Sequence, residues 1–167
     1  GRLSTLAPKL AEYYNKNKKM ILAQTEYNEK IIGNRDADFY ALARVGEYSY
    51  ATNYVVFRDN TKWAAAVISE VNTQWGGVKR PLFQNHAVSI CEDEDGNFIT
   101  LDEAHYICGI LNSNYVYEYM MNSSDSRSFP IRPRVKIPKY DKTNKRHKEI
   151  SDLSQLAHER YQNQMEL

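Results

Sequence analysis

The sequence predicts an α+β fold: a compact mixed β-sheet or partial barrel with flanking helices, an N-terminal helical linker and a C-terminal helix. Three observations carry this. Apolar residues recur at helical spacing near both ends, at Leu3, Leu6, Leu10, Tyr13 and Tyr14 and again at Ile150, Leu153, Leu156, Ala157 and Tyr161. β-branched and aromatic runs separated by turn residues fill positions 39–99. A capping box, Thr100-Leu101-Asp102-Glu103, then marks a return to helix. The 167 residues suit one domain with its own core, read as a helical linker over 1–36 and a main domain over 37–167.

The first helical stretch covers 2–32, with Asn15-Lys16-Asn17-Lys18-Lys19 as a break or a solvated face, and Gly33-Asn34-Arg35-Asp36 turns the chain. Tyr54-Val55-Val56-Phe57 is a strand. Asp59-Asn60-Thr61 turns it into a second strand, Trp63 to Ile68, as a hairpin. Gly76-Gly77 is a loop that leaves Trp75 at the surface, while Trp63 belongs in the core. A third strand runs from His86 to Cys91, and Asp95-Gly96-Asn97 turns into Phe98-Ile99. A helix follows from Leu101 to about Leu111, broken by Asn112-Ser113-Asn114, with a second short helix to Met121. Pro130, Pro133 and Pro138 hold the next stretch extended, anchored by Ile131, Val135 and Ile137. The last helix starts at Asn144, with Ile150, Leu153, Leu156, Ala157 and Tyr161 on one face.

Apolar residues make up 42% and charged residues 26% of the chain, ordinary for a soluble protein. No apolar run approaches the roughly 20 residues of a membrane helix, so no membrane partner is expected. The opening Gly1-Arg2-Leu3-Ser4 has neither a signal peptide nor Met and reads as an excised piece of a longer protein. Cys91 and Cys108 sit in apolar surroundings and read as free buried thiols, which suits a reducing compartment.

The net charge of +1 hides an uneven distribution. Positions 126–148 hold nine basic residues (Arg127, Arg132, Arg134, Lys136, Lys139, Lys142, Lys145, Arg146 and Lys148) against one acid, Asp141, hence +8. Acids gather elsewhere, at Glu92, Asp93, Glu94 and Asp95. Local field steers a polyanion more than net charge does.

Catalytic motifs are missing. The five prolines include no adjacent pair, so the Pro-Pro turn that adenine methyltransferases use to hold a flipped base is absent. There is no G-x-G-x-x-G, no phosphate loop and no acid two residues before a lysine. His105 and Cys108 share a helix face, but two ligands do not close a metal site; the plainer reading is a satisfied histidine and a buried thiol. No metal and no catalytic residue is therefore expected. His147 and His158 are read as solvated or touching a partner.

Some segments carry a family likeness. Tyr40 to Trp63 reads YALARVGEYSYATNYVVFRDNTKW, His105 to Asn114 reads HYICGILNSN, Ile131 to Tyr140 reads IRPRVKIPKY, and the last helix contains LAH at Leu156 to His158. In this order they resemble the C-terminal target-recognition (specificity) domain of type II adenine-specific DNA methyltransferases and fused restriction-modification enzymes. The early helices, with Pro8, Tyr13 and Tyr14 ahead of Asn17-Lys18-Lys19, look like the linker joining such a domain to its methylase. The likeness covers nearly the whole chain. It implies a non-catalytic DNA reader in a bacterial or archaeal cytoplasm. Its partners would be double-stranded DNA and the catalytic methyltransferase domain of the same polypeptide, and S-adenosylmethionine would bind that absent half. Two other readings are the recognition domain of a type I specificity subunit, which usually continues into a long coiled coil, and a protein-interaction domain with a basic loop.

Under the DNA reading, Arg127, Arg132 and Arg134, stiffened by neighbouring prolines, are base-reading candidates, because an arginine fork grips guanine bidentately. Arg44, Tyr48, Tyr50 and Asn53 form a second reading surface. Lys136, Lys139, Lys142, Lys145 and Arg146 are phosphate candidates, as are Lys79 and Arg80 after the Gly pair.

Overall fold

The computed structural model describes residues 2–23, 38–40, 46–60, 62–83, 86–123, 128–130 and 133–165. The candidates Arg44, Arg127 and Arg132 lie outside the described residues. The chain forms two units, Gly1–Glu47 and Tyr48–Leu167.

In the first unit, three short helices follow one another: α1 (Arg2–Leu6), α2 (Pro8–Lys16) and α3 (Lys18–Leu22). Pro8 opens α2, where its missing N–H costs nothing. Asn17 interrupts the run, its Nδ2 donating to Tyr13 O at 2.8 Å. Of the described helical residues here, only Ala11 is buried. Aromatic contacts supply the rest, with Tyr14 stacked on Tyr40 at 5.4 Å and Lys18 Nζ 5.2 Å from the Phe39 ring centre.

The second unit is α+β. Its strands are β1 (Tyr54–Arg58), β2 (Ala65–Ile68), β3 (Val71–Asn72), β4 (Val78–Lys79) and β5 (Ala87–Ile90). Its helices are α4 (Leu101–Leu111), α5 (Asn114–Ser123) and α6 (Lys145–Met165). The main sheet has the order β2-β1-β5, antiparallel throughout, and β3-β4 is a separate antiparallel ribbon. No closed barrel forms among the described residues.

Alternation along β1 assigns its side chains. Val55 and Phe57 enter the main core with Trp63, Ile99, Ala104, Cys108, Leu111 and Phe129. Tyr54 and Val56 face the other side, against Ala51, Cys91 and Phe83. The second strand of the hairpin starts at Ala65 rather than Trp63. Trp63 turns inward instead, 3% exposed, with Nε1 donating to Leu111 O at 2.8 Å. Asn112 then clamps β2, its Oδ1 accepting from Ala65 N–H and its Nδ2 donating to Ala65 O.

Thr100 caps α4 as the capping box predicts, its Oγ1 accepting from Glu103 N–H at 3.3 Å. The hairpin at Asp95-Gly96-Asn97 also forms. Asp93 Oδ1 accepts from the N–H groups of Asp95 and Asn97, and Gly96 supplies a φ of 81°. These bonds hold the Asp93 carboxyl below the usual carboxylate range.

Helix α6 shows which of its faces docks and corrects one expectation. It docks on α4 through Ser151, Ser154 and His158, not through its leucines. Ser151 Oγ donates to Asp102 O at 2.7 Å, and Ser154 Oγ lies 3.3 Å from His105 Nδ1. Gly109, having no Cβ, leaves the room in which Ile150 sits. Leu153, Leu156 and Tyr161 remain exposed, at 60%, 41% and 65%. Nor are His147 and His158 solvated. His158 Nδ1 donates to Ser154 O at 2.7 Å, so Nε2 accepts from Val67 N–H at 3.0 Å, satisfying the outer edge of β2. His147 Nδ1 accepts from Asp141 N–H, and its ring lies 4.6 Å from Tyr106.

Cys91 and Cys108 are free and buried, as read from the sequence. Burial pushes the Cys108 thiol up to about 11, against hydrogen bonds from Ser154 and Asn112 that lower it. Burial also raises Cys91. A rise of that size cuts the Cys108 thiolate fraction about 100-fold near neutral pH, and the thiolate is the reactive form. Native Cys108 is therefore expected to resist iodoacetamide under conditions that alkylate the denatured chain. Native labelling at the denatured rate, read by mass spectrometry, would contradict this burial.

Candidate nucleic-acid interface

The strand register shows which loops share an end of the sheet. Tyr54 pairs with Ile68 and Val55 with Ile90, whereas Phe57 pairs with Ala65 and Arg58 with Ala87. The Glu47–Tyr50 turn, the β3-β4 ribbon and the 91–99 hairpin therefore all leave from the Tyr54 end of β1.

At that end, two of the sequence-predicted patches meet. Glu47–Tyr50 forms a turn of 3-10 helix, pinned by Tyr48 O accepting from Tyr54 Oη at 3.0 Å. Arg80 Nη1 donates to Tyr50 O at 3.3 Å, bringing Lys79 and Arg80 beside the tyrosine surface. Tyr48 and Tyr50 are 43% and 68% exposed, and Lys79 and Arg80 are exposed. Asn53 serves the fold: its Nδ2 donates to Ile99 O at 3.2 Å, tying β1 to the α4 entry.

The basic segment has a regular display. Over 133–137 Pro133, Val135 and Ile137 are half-buried while Arg134 and Lys136 are exposed. Val135 and Ile137 pack on the main core, so they anchor an extended strip that presents its cations outward. Next comes a tight turn, where Asp141 Oδ1 accepts from Thr143 N–H and Oγ1 at 2.8 and 2.7 Å. Asn144 is the cap of α6 rather than its first residue, its Oδ1 accepting from Arg146 N–H at 3.0 Å. Lys142, Lys145 and Arg146 are exposed around this helix start, and no acid lies in the first turn.

Two cations of the segment are neutralised internally. Lys139 Nζ lies 2.7 Å from Asp95 and 3.7 Å from Asp93, so the acidic cluster closes back on the basic strip. Lys148 pairs with Asp152 at 2.9 Å. Arg134, Lys136, Lys142, Lys145 and Arg146 make no ion pair among the described residues. Beside Lys139 lies a cavity of about 230 Å3, floored by Ile90, Ile107 and Ile137 and rimmed by Asp93, Glu94 and Glu103.

His105 and Cys108 are core groups. His105 is 6% exposed, and burial and the nearby His158 lower its pKa. Among the described residues, no three His, Cys, Asp or Glu side chains converge as metal ligands, and no helix is long and apolar enough to cross a membrane.

Sequence reasoning missed the β3-β4 ribbon. The signal was the Gly76-Gly77 pair between Val71-Asn72 and Val78-Lys79, a hairpin-turn dipeptide flanked by strands only two residues long. No family model matches the chain, and neither a curated protein nor a solved structure matches it.

Proposed function

We propose that this chain is a sequence-reading DNA-binding domain of a restriction-modification methyltransferase, positioning duplex DNA for a catalytic domain of the same polypeptide. In this reading S-adenosylmethionine belongs to that other domain, and no residue here is assigned to it. The family resemblance supplies the enzyme class. The observation that carries DNA binding is the set of exposed cations Arg134, Lys136, Lys142, Lys145 and Arg146, without ion pairs among the described residues and leading onto the start of α6.

Their placement opposes local stability. A helix N-terminus carries partial positive charge and favours acids, each worth about 0.3–1 kcal/mol. Here Lys145 and Arg146 occupy that turn and Lys142 precedes it. A phosphate backbone would turn that repulsion into attraction, joined by the helix amides. Arg134, held out from an anchored strip, is the described residue best suited to read a base edge.

The triple variant Lys142→Ala/Lys145→Ala/Arg146→Ala is expected to bind all duplexes about 100-fold more weakly. Its log K against log salt should be flatter by about 2.7, since each phosphate contact contributes roughly 0.9. Arg134→Ala should instead relax discrimination at one base position, by roughly 1–3 kcal/mol. An unchanged salt slope in the triple variant, measured by fluorescence anisotropy, would remove this surface from the interface.

One observation favours the protein-interaction reading. Leu153, Leu156 and Tyr161 form an uncovered apolar stripe along α6. If that reading holds, with the basic loop meeting an acidic partner, substituting Leu153 and Leu156 by Ser and the cation variants should each weaken partner binding, and duplex DNA should not bind.

A further inference from the structure

We infer that the β3-β4 ribbon enters the major groove of duplex DNA with Trp75 leading, an assignment that rests on the DNA-binding reading above. The ribbon pairs only with itself among the described residues, and both of its strands are exposed. Trp75 at its tip is 82% exposed. An indole held in water leaves much apolar surface available for burial on contact.

The tip is built to hold that position. Thr73 N–H donates to Gly77 O and Gly76 N–H to Thr73 O, both at 3.0 Å. Thr73 Oγ1 donates to Gly76 O and Gly77 O at 2.7 and 3.0 Å. Gly76 and Gly77 take φ values of 87° and 83°, which other residues rarely adopt. A preorganised tip loses little entropy on docking.

The ribbon's chemistry selects the occupant. From Val71 to Arg80 there is no acid, and Glu70 precedes it. Asn72 and Gln74 carry the amides that pair bidentately with adenine. Lys79 and Arg80 stand at its base, Arg80 fixed to Tyr50 O, where they would meet flanking phosphates. A major groove about 12 Å wide admits a two-stranded ribbon.

The chain has two tryptophans, and Trp63 is buried, so changes in tryptophan emission on binding report chiefly on Trp75. Wild-type protein should be titrated at low salt with a duplex pool of random sequence, reading anisotropy of labelled DNA, tryptophan emission and acrylamide quenching. Expected are quenched emission, at least about 3-fold lower acrylamide accessibility and about 10-fold weaker binding for Trp75→Ala, from lost apolar contact with base edges such as the thymine methyl. Trp75→Phe should recover part of that loss. If duplex binds with a salt slope but Trp75 stays accessible and Trp75→Ala binds equally, the ribbon assignment is overturned and the DNA reading stands. Absence of any duplex binding would overturn both.

Discussion

Trp63→Ala is expected to destabilise the second unit by about 4 kcal/mol, within the range for large aromatic truncations in cores. Trp63 is the junction of three elements. Its ring lies 5.1 Å from Phe57 of β1 and 5.7 Å from Phe129. Its Nε1 donates to Leu111 O at the end of α4. Alanine removes the ring and leaves a buried carbonyl in the last turn of the helix without that donor. Trp63→Phe separates the two effects, keeping most of the ring and losing the donor, at about 1–2 kcal/mol. Urea unfolding followed by circular dichroism measures both. A loss below about 1 kcal/mol for the alanine variant would mean that this junction does not hold β1 to α4.

Gly109→Leu is expected to cost at least 3 kcal/mol, at the upper end of overpacking penalties. A Cβ at position 109 would stand 2.7 Å from Ile150 Cγ2 and 3.2 Å from Ile150 O. Leucine would push α6 off α4 and strain the Ser151–Asp102 bond and the His105–Ser154 contact. Gly109→Ala gains about 1 kcal/mol of helix propensity, yet should still destabilise, because the backbone oxygen of Ile150 cannot rotate away. The distinctive expectation is the coupling. Ile150→Ala removes Cγ2, so Gly109→Ala in that background should cost less than in the wild type. Additive costs would show that the helices do not meet at Gly109.

The sequence displayed local determinants well and long-range ones poorly. The β1 strand is visible in Tyr54-Val55-Val56-Phe57, the α4 start in Thr100, and the 91–99 hairpin in Asp95-Gly96-Asn97, because in each a few adjacent residues decide the conformation. The docking face of α6 was not visible. A hydropathy pattern points to Leu153 and Leu156, but α6 approaches α4 closely at Gly109, where Ile150 sits, and turns Ser151 and Ser154 to the core. The same limit applies to the candidate interface. Positions 126–148 show their charge in sequence, but the pairing of Lys139 with Asp95 spans 44 residues and emerges only on folding. The meeting of Arg80 with Tyr50 is likewise set by the sheet register and not by any motif.

If the domain reads DNA sequence, as proposed, selection from a random duplex pool will show it. The chain, immobilised at low salt, is incubated with the pool, and retained DNA is amplified and sequenced over several rounds. Expected is enrichment of one short motif, with elution by rising salt and loss of retention in the Lys142/Lys145/Arg146 triple variant. Failure to retain any duplex, or retention without enrichment of any motif, would contradict it.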